Sequence, residues 1–311
     1  MIIVKLMGGL GNQMFQYALG KALSLERGEE VFYDMSFYRD DRGMGKFYQN
    51  LLHLYHHAVD DKSVGPLYRG FSLHHFNVNM REEPALPHVK QYLRVLSNKT
   101  HKRVPGLSEL TDYAVFDELY LSQKHEKLPE YQDIRSKNIY LCGYWQSERY
   151  FSRITDEIRH DFQITTPQSD ANKSWSEIIQ NSNSVSLHVR RTDYLSLGWA
   201  LDAEYYHRAV EYISKYVENP VFFIFSDDIE WVKNNLEIPY DVYYVNQNGQ
   251  DEAYEDMRLM SQCKHNIIAN SSFSWWGAWL NQNPDKIVAA PEKWTDGTNL
   301  IEIVPERWVR L

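Results

Sequence analysis

The second half of the chain alternates apolar strands with helical segments, and this alternation constrains the fold more than any other feature. The pattern predicts strands at 185–189, 221–225, 242–245, 266–269 and 286–290, and helices at 203–216, 229–236, 252–263 and after 272 through 279. Strands joined by crossover helices form a parallel sheet with helices on both faces. We therefore predict a doubly wound α/β domain.

The first half opens with a similar strand–turn–helix–strand unit. Its predicted elements are a strand at 2–6, a glycine-rich turn at 7–13, a helix at 14–25, a strand at 31–33 that ends on Asp34, a strand at 139–142 and a helix at about 147–162. Residues 37–133 show few long periodic runs, and the pattern assigns no elements there. The opening unit is typical of a second α/β domain.

A polar stretch at 165–170 is the best linker candidate in the chain. The length of 311 residues fits two domains of about 150 residues each. We predict a first domain at 1–164 and a second at 165–311, whose last residues can pack back on the first. Two such domains leave a cleft at the carboxyl ends of their strands, where open α/β sheets bind ligands.

Composition excludes several classes of protein. The net charge of −9 argues against a protein that coats nucleic acid. Two cysteines, Cys142 and Cys263, are too few for a disulfide framework, and both are expected to be buried. The first residues lack the features of a signal peptide, and no window is apolar enough to span a membrane. We expect a cytoplasmic protein without a transmembrane segment.

Polar clusters follow three strands of the second half, at 188–193, 226–228 and 270–274. Because the carboxyl ends of parallel strands lie at one edge of a sheet, the three clusters are predicted to form one binding site.

Two adjacent arginines, Arg190 and Arg191, follow the strand at 185–189. Cations at such a position are costly unless an anion meets them, and a guanidinium matches the oxygens of a phosphate without a metal. The sequence therefore predicts a diphosphate site. In the alternative, Arg191 forms a structural salt bridge with Asp193 and only Arg190 faces the ligand.

Ser271, Ser272 and Phe273 precede a tryptophan-rich helix. Hydroxyls and free N–H groups at a helix N-terminus can bind an anion, although these serines could equally cap the helix. The helix tryptophans are expected in the core: Trp275, Trp276 and Trp279.

Of the two carboxylates at 227–228, we expect one to bind a nucleobase or ribose and the other to cap the next helix. Ser226-Asp227-Asp228 is not the Asp-x-Asp pattern of cation-dependent sugar transferases, so no metal site is predicted.

The turn near the N-terminus superficially resembles a dinucleotide fingerprint. Gly9 and Gly11 begin the pattern, but Met14 occupies the third glycine position. We interpret the turn as one that lets the backbone approach a ligand, with amide contacts from Asn12 and Gln13. A purely conformational role for the glycines is the alternative.

Four segments together resemble the bacterial α-1,2-fucosyltransferases of glycosyltransferase family 11: GGLGNQMFQYA at 8–18, GYWQSE at 143–148, HVRRTDY at 188–194 and SSFSWWG at 271–277. The resemblance implies a GT-B-like α/β fold with two Rossmann-type domains facing across a cleft. It implies inverting transfer of L-fucose from GDP-fucose to the 2-hydroxyl of a terminal galactose. The C-terminal half would hold the donor, and the N-terminal half would hold most of the acceptor. The resemblance also implies that no metal or other cofactor is needed.

The resemblance further assigns roles to residues. Arg190 would bind the β-phosphate as the leaving group departs, His188 would lie beside the donor, and the Asn12 turn would close the cleft from the other side. The donor-binding set is Arg190, Arg191, Asp227, Ser271, Ser272, Phe273, Gly9 and Gly11.

The proton acceptor for the attacking hydroxyl stays open. Asp34, Glu148 and Asp193 are all candidates, and the departing phosphate or a water could also take the proton.

Other functions stay open as well. The alternatives are transfer to another sugar hydroxyl, a non-catalytic module that binds a nucleotide or glycan, and an NAD-dependent oxidoreductase. The oxidoreductase is disfavoured because the chain lacks a proper dinucleotide-binding fingerprint. A lipid-linked acceptor would place the protein at the inner face of the membrane as a peripheral protein.

Overall fold

A parallel sheet organises each half of the chain in the computed structural model, which describes residues 1–38, 70–82, 113–118, 138–294 and 303–311. Contacts divide these residues into two compact units. The first contains 1–8, 12–38, 78–82, 113–118 and 138–161, and the second contains 9–11, 70–77, 162–294 and 303–311. The chain passes from the first unit to the second between Asp161 and Phe162. The domain boundary at 164/165 stays a prediction.

The first unit is built on a four-stranded sheet. Its strands are β1 (Ile2–Lys5), β2 (Val31–Asp34), β3 (Tyr113–Asp117) and β4 (Asn138–Cys142). The order is β2-β1-β4-β3 and every neighbouring pair is parallel. Apolar side chains of β1 and β4 are buried, as expected for strands covered on both faces. Three of these strands were predicted, whereas β3 lies where the pattern assigned nothing.

Helix α1 (Leu10–Arg27) begins four residues earlier than predicted. Gly8 has a φ of +80°, a conformation that glycine adopts without steric cost, and this completes the turn within three residues. The prediction that 10–13 belong to the turn was therefore wrong. Gly11, Asn12 and Gln13 lie in the first turn of the helix.

The helix predicted at 147–162 was wrong over its first half. Two 3₁₀ turns, Glu148–Tyr150 and Ser152–Ile154, precede α2 (Thr155–Asp161). The Ser147 hydroxyl accepts a hydrogen bond from the N–H of Arg149, and Phe151 has a non-helical φ of −134°. This side chain–backbone contact competes with a continuous helix.

The second unit is built on a six-stranded sheet. Its strands are β5 (Ser184–Val189), β6 (Val221–Ser226), β7 (Asp241–Val245), β8 (His265–Ile267), β9 (Val288–Ala290) and β10 (Val309–Arg310). The order is β10-β9-β8-β5-β6-β7, again with parallel neighbours throughout. The first five strands were predicted and β10 was not. The two sheets confirm the predicted GT-B-like α/β class with Rossmann-type domains.

Helices cover this sheet, and all but the first two were predicted. They are α3 (Asp170–Gln180), α4 (Thr192–Leu197), α5 (Ala203–Ser214), α6 (Ile229–Asn235), α7 (Ala253–Gln262) and α8 (Ser272–Leu280). The tryptophans of α8 are buried, as are both cysteines, which confirms their assignment to the core.

The register of the sheet brings the predicted polar clusters together. Val189 at the end of β5 pairs with Ser226 at the end of β6, and Leu187 pairs with Ile267 at the end of β8. Because β5 lies between β8 and β6, the clusters that follow these strands lie at one edge of the sheet, as predicted.

Gly11 belongs to the second unit and packs against the first turn of α8. A Cβ atom on Gly11 would lie 2.5 Å from the carbonyl carbon of Ser272 and 2.6 Å from the nitrogen of Phe273. The indole N–H of Trp276 donates to the Gly11 carbonyl at 3.0 Å. Close approach of two backbones therefore requires glycine at this position.

We predict that Gly11→Ala lowers the free energy of unfolding by about 1–3 kcal/mol, because the added methyl group overpacks a backbone contact that cannot yield cheaply. The matched control is Gly249→Ala, where the nearest atom to an added Cβ is a side-chain oxygen at 3.9 Å. Thermal unfolding followed by circular dichroism measures both variants. Equal melting temperatures for the two would contradict the packing described for Gly11.

Candidate functional site

Arg190 is the first residue after β5 and is held by two carboxylates, one in the first turn of α4 and the other directly after β6. Its Nη2 lies 2.7 Å from Oδ1 of Asp193, and its Nη1 lies 2.9 Å from Oδ2 of Asp227. The Arg190 side chain is 16% exposed. A guanidinium carries five N–H donors, so two ion pairs fix its orientation and leave further donors for a ligand.

Arg191 does not contact the partner that the sequence suggested for it. Its Nε lies 3.4 Å from Oδ2 of Asp228, and its guanidinium lies 3.8 Å from the centre of the Trp231 ring. The alternative in which Arg191 pairs with Asp193 was therefore wrong, because Asp193 pairs with Arg190. Arg191 precedes α4 with a φ of −134°, and its side chain stacks on Trp231 of α6. Its role in donor binding stays a prediction.

The carboxylate of Asp227 ties the arginine loop together. It accepts hydrogen bonds from the N–H of Arg191 at 2.9 Å and from the N–H and hydroxyl of Thr192 at 3.3 and 2.7 Å, in addition to its pairing with Arg190. Asp228 caps α6 by accepting from the N–H of Trp231 at 3.0 Å. The helix cap expected at this pair is thus Asp228, and contact of Asp227 with a base or ribose stays a prediction.

His188, on β5, is 5% exposed and carries a neutral ring at neutral pH. Burial lowers the pKa of its imidazole to about 4, although the charges of Asp227 and Asp193 act in the opposite direction. Its ring lies 5.7 Å from that of Phe273, and its Nδ1 has no hydrogen-bond partner among the described residues. The buried ring therefore adds no positive charge at this edge of the sheet at neutral pH.

The third cluster joins the site at the N-terminus of α8. Ser271 is the N-cap residue, and its hydroxyl accepts from the N–H of Phe273 at 3.4 Å. Helix capping, the alternative considered for these serines, is therefore observed for Ser271. The Tyr194 hydroxyl donates to the carbonyl of Asn270 at 3.2 Å, which links the arginine loop to this cluster. Anion binding by Ser271, Ser272 and Phe273 stays a prediction.

In the first unit, Asn12 and Gln13 make contacts near the glycine turn. Oδ1 of Asn12 accepts from Nε2 of Gln146 at 2.7 Å, and Nε2 of Gln13 donates to the Gly8 carbonyl at 3.2 Å. Ligand contacts by Asn12 and Gly9 stay predictions.

The three candidate proton acceptors lie in different surroundings. Asp34 is 2% exposed, and its two oxygens accept from the Tyr140 hydroxyl at 2.8 Å and the Ser36 N–H at 2.9 Å. This geometry favours a structural role for Asp34. Glu148 is half-buried in a 3₁₀ turn, and Asp193 is paired with Arg190.

Sequence reasoning missed two carboxyl groups. Oε2 of Glu118, just beyond β3, accepts from the N–H groups of Tyr144 and Trp145 at 2.6 and 2.9 Å. Asp256, on α7, is hydrogen-bonded by Asn248 at 2.7 Å, and burial raises its pKa to about 7. For Glu118, the only signal in the sequence was Gly143, which marks a turn whose backbone needs a hydrogen-bond partner. For Asp256, no local sequence pattern indicated burial.

No group of three or more potential metal ligands occurs among the described residues. In the same part of the chain, every helix is too short or too polar to cross a membrane.

Two Rossmann-type units with an arginine-bearing loop at a strand end define a GT-B-like protein. A family model described as glycosyl transferase family 11 matches residues 72–310, and the chain belongs to that family. It is therefore a glycosyltransferase, and the predicted family is confirmed.

Several relatives are similar to this chain. An alpha-1,2-colitosyltransferase of Escherichia coli is 33% identical over 322 residues, which cover 100% of this chain and 98% of that protein. The O-antigen biosynthesis glycosyltransferase WbnK of Escherichia coli is 33% identical, covering 98% of this chain and 99% of that protein. Human galactoside alpha-(1,2)-fucosyltransferase 1 is 27% identical over 165 residues, which cover 49% of this chain and 45% of that protein.

Among solved structures, the fucosyltransferase NodZ from Bradyrhizobium aligns with a TM-score of 0.47 at 14% identity, covering 89% of this chain and 91% of that one. The fold assignment rests on the two parallel sheets themselves.

The pKa of His188 predicts a specific loss of stability in acid. The folded-state pKa of His188, about 4, lies below the ordinary value near 6.5. The contribution of the neutral imidazole to the free energy of unfolding is therefore fully present above pH 6.5 and is lost as the pH falls toward 4. The free energy of unfolding of the wild type should fall by about 2 kcal/mol more than that of His188→Phe between pH 7.5 and 5. Denaturant unfolding at both pH values measures this, and parallel profiles would refute the assignment.

Proposed function

We propose that the protein transfers L-fucose from GDP-fucose to the 2-hydroxyl of a terminal galactose, with inversion and without a metal or other cofactor. The observation that carries the proposal is the oriented, largely buried Arg190 at the strand-end edge of a family 11 glycosyltransferase. Partly buried cations that keep free donors are suited to a diphosphate.

The proposed chemistry places charge where the arginine can stabilise it. As the bond from the fucose anomeric carbon to the phosphate oxygen breaks, negative charge develops on GDP and the sugar becomes oxocarbenium-like. Arg190 and the N–H groups at the start of α8 would stabilise that leaving group. The acceptor hydroxyl attacks the anomeric carbon from the opposite face, and its proton passes to a carboxylate, a water or the departing phosphate.

The acceptor is proposed from the names of the relatives. One acts in O-antigen biosynthesis and another is a galactoside fucosyltransferase, which supports a galactose-terminated oligosaccharide or lipid-linked glycan as the acceptor. A lipid-linked glycan would place the reaction at the cytoplasmic face of the membrane, with the protein associated peripherally. The net charge of −9 favours a glycan over nucleic acid as the partner.

A second candidate donor is GDP-colitose. Colitose is fucose without its 3-hydroxyl, and a relative that is 33% identical over the whole chain is named as an alpha-1,2-colitosyltransferase. A loop that binds the diphosphate would bind either donor, because the two donors differ only in the sugar. A site that hydrogen-bonds the 3-hydroxyl would reject the donor that lacks it strongly.

Incubation with lactose in EDTA tests the proposal and the choice of donor together. The protein receives GDP-fucose in one reaction and GDP-colitose in the other, and mass spectrometry detects the product. We expect a mass increase of one deoxyhexose from GDP-fucose, undiminished by EDTA, and NMR should show an α linkage to the 2-position of galactose.

Three outcomes would contradict parts of this proposal. Turnover of GDP-colitose alone would replace the donor, and loss of activity in EDTA that a divalent cation restores would overturn metal independence. Saturable GDP binding without product from any galactoside would favour a non-catalytic binding module.

A further inference from the structure

Helix α4 carries Asp193, one of the two carboxylates that hold Arg190, yet the helix itself has little apolar packing. None of its six residues is buried, and Leu195 and Leu197 are 53% and 41% exposed. A helix this short has no stability of its own, and most helices in proteins are stabilised by the packing of an apolar face. The position of α4 therefore depends on polar contacts.

Both ends of α4 are hydrogen-bonded to Asn270. Near the start of the helix, the Tyr194 hydroxyl donates to the Asn270 carbonyl at 3.2 Å. Beyond its end, Nδ2 of Asn270 donates to the Trp199 carbonyl at 2.9 Å. The N–H of Trp199 donates to the Tyr194 carbonyl at 2.9 Å, and the two rings meet edge to face at 5.8 Å. The segment 194–199 is thus closed on itself and attached at both ends to Asn270.

The same amide group also bonds the segment on its other side. Nδ2 of Asn270 donates to the Trp294 carbonyl at 2.7 Å. Trp294 follows β9, and Asn270 follows β8, which lies between β9 and β5 in the sheet. One amide therefore joins the segments that follow three adjacent strands. Asn270 is 3% exposed, so water competes little for these hydrogen bonds.

The Asn270 side chain acts through its nitrogen. Nδ2 bonds two carbonyls, whereas Oδ1 is buried and has no hydrogen-bond partner among the described residues. A carboxylate of the same shape has only acceptors, so an aspartate would turn an oxygen toward two carbonyl oxygens. An amide, and not a carboxylate, is therefore needed at position 270.

We propose that Asn270 is a positioning residue for donor binding: its carbonyl and its Nδ2 hold α4 in place, so that Asp193 can orient Arg190. The connection is short, because Asp193 directly precedes Tyr194 and its Oδ1 lies 2.7 Å from Nη2 of Arg190. Without this tether, α4 would move away and the arginine would lose one of its two ion pairs. That Arg190 binds the diphosphate of the donor rests on the proposed function.

Hydrogen–deuterium exchange of the backbone amides at 192–199 tests the tether without a ligand and without turnover. Asn270→Asp keeps the size of the side chain and removes its donor. We expect the amides of this segment to exchange about tenfold faster than in the wild type, because the carboxylate repels the Trp199 carbonyl and the helix opens locally. Mass spectrometry of the peptides that cover the segment measures the rate.

Calorimetric titration of GDP and GMP tests the consequence for Arg190. Asn270→Asp should lower the preference for GDP over GMP about fivefold, because the arginine keeps one of its ion pairs. In the Arg190→Ala background, Asn270→Asp should lower this preference no further, since a positioning residue acts through the group that it positions. A general structural defect would instead weaken both ligands equally. In the transfer assay, kcat should fall while the KM for the acceptor is unchanged.

The matched control is Asn281→Asp, at the other end of α8. Asn281 is 2% exposed, is the C-cap residue of α8, and donates from Nδ2 to the Cys263 carbonyl at 2.7 Å. This variant buries the same carboxylate and loses a similar hydrogen bond. It should leave the exchange rate at 192–199 and the preference for GDP as they are in the wild type.

Tyr194→Phe is a second and milder variant of the tether. It removes only a hydroxyl group and should accelerate exchange at 192–199 about threefold, as expected for the loss of a neutral hydrogen bond. Circular dichroism melting shows whether each variant is folded. If Asn270→Asp does not fold, the exchange rate of Tyr194→Phe decides.

The outcomes separate the tether from the proposed function. If the protein transfers no sugar, but Asn270→Asp accelerates exchange at 192–199 and lowers the preference for GDP, the positioning role stands and the proposed function fails. If folded Asn270→Asp and Tyr194→Phe exchange as Asn281→Asp does, the positioning role is overturned. It is also overturned if Asn270→Asp lowers the preference for GDP equally with and without Arg190.

Discussion

The pairing of Arg190 with Asp193 and Asp227 is the interaction on which the site depends. A largely buried guanidinium needs compensating charge, and here it comes from the first turn of α4 and from the end of β6. Asp227 also accepts from the backbone of the residues that follow Arg190. One carboxylate thus fixes both the direction of the arginine and the path of its loop, so the cation is oriented before any ligand arrives.

This constraint explains the division of roles around the loop. Arg191 stacks on Trp231 and pairs with Asp228, which places it in the scaffold of α6. His188 loses its charge through burial, so it adds no competing cation beside Arg190. An oriented charge in a poorly solvated place interacts more strongly with a developing negative charge than a mobile one in water would, because little reorganisation is needed during the reaction.

The sequence predicted the parts of this architecture that follow from local periodicity. Alternating strands and helices placed three polar clusters at one edge, and β5, β6 and β8 are adjacent in the structure. The sequence could not predict which arginine pairs with Asp193. That choice between Arg190 and Arg191 depends on where α4 begins, and this six-residue helix has no clear apolar periodicity. Glu118 acts through backbone N–H groups 26 and 27 positions away, and no local pattern encodes such a pairing.

Calorimetric titration of GDP and GMP into the wild type and Arg190→Ala tests the central claim most directly, because the two ligands differ only in the β-phosphate. Arg208→Ala, which removes a half-exposed arginine paired with Glu204, serves as the control. The wild type and the control should prefer GDP over GMP, and Arg190→Ala should reduce that preference by at least about tenfold, the effect of losing a charge-assisted hydrogen bond. An unchanged preference in folded Arg190→Ala would contradict the assignment of Arg190 to the diphosphate.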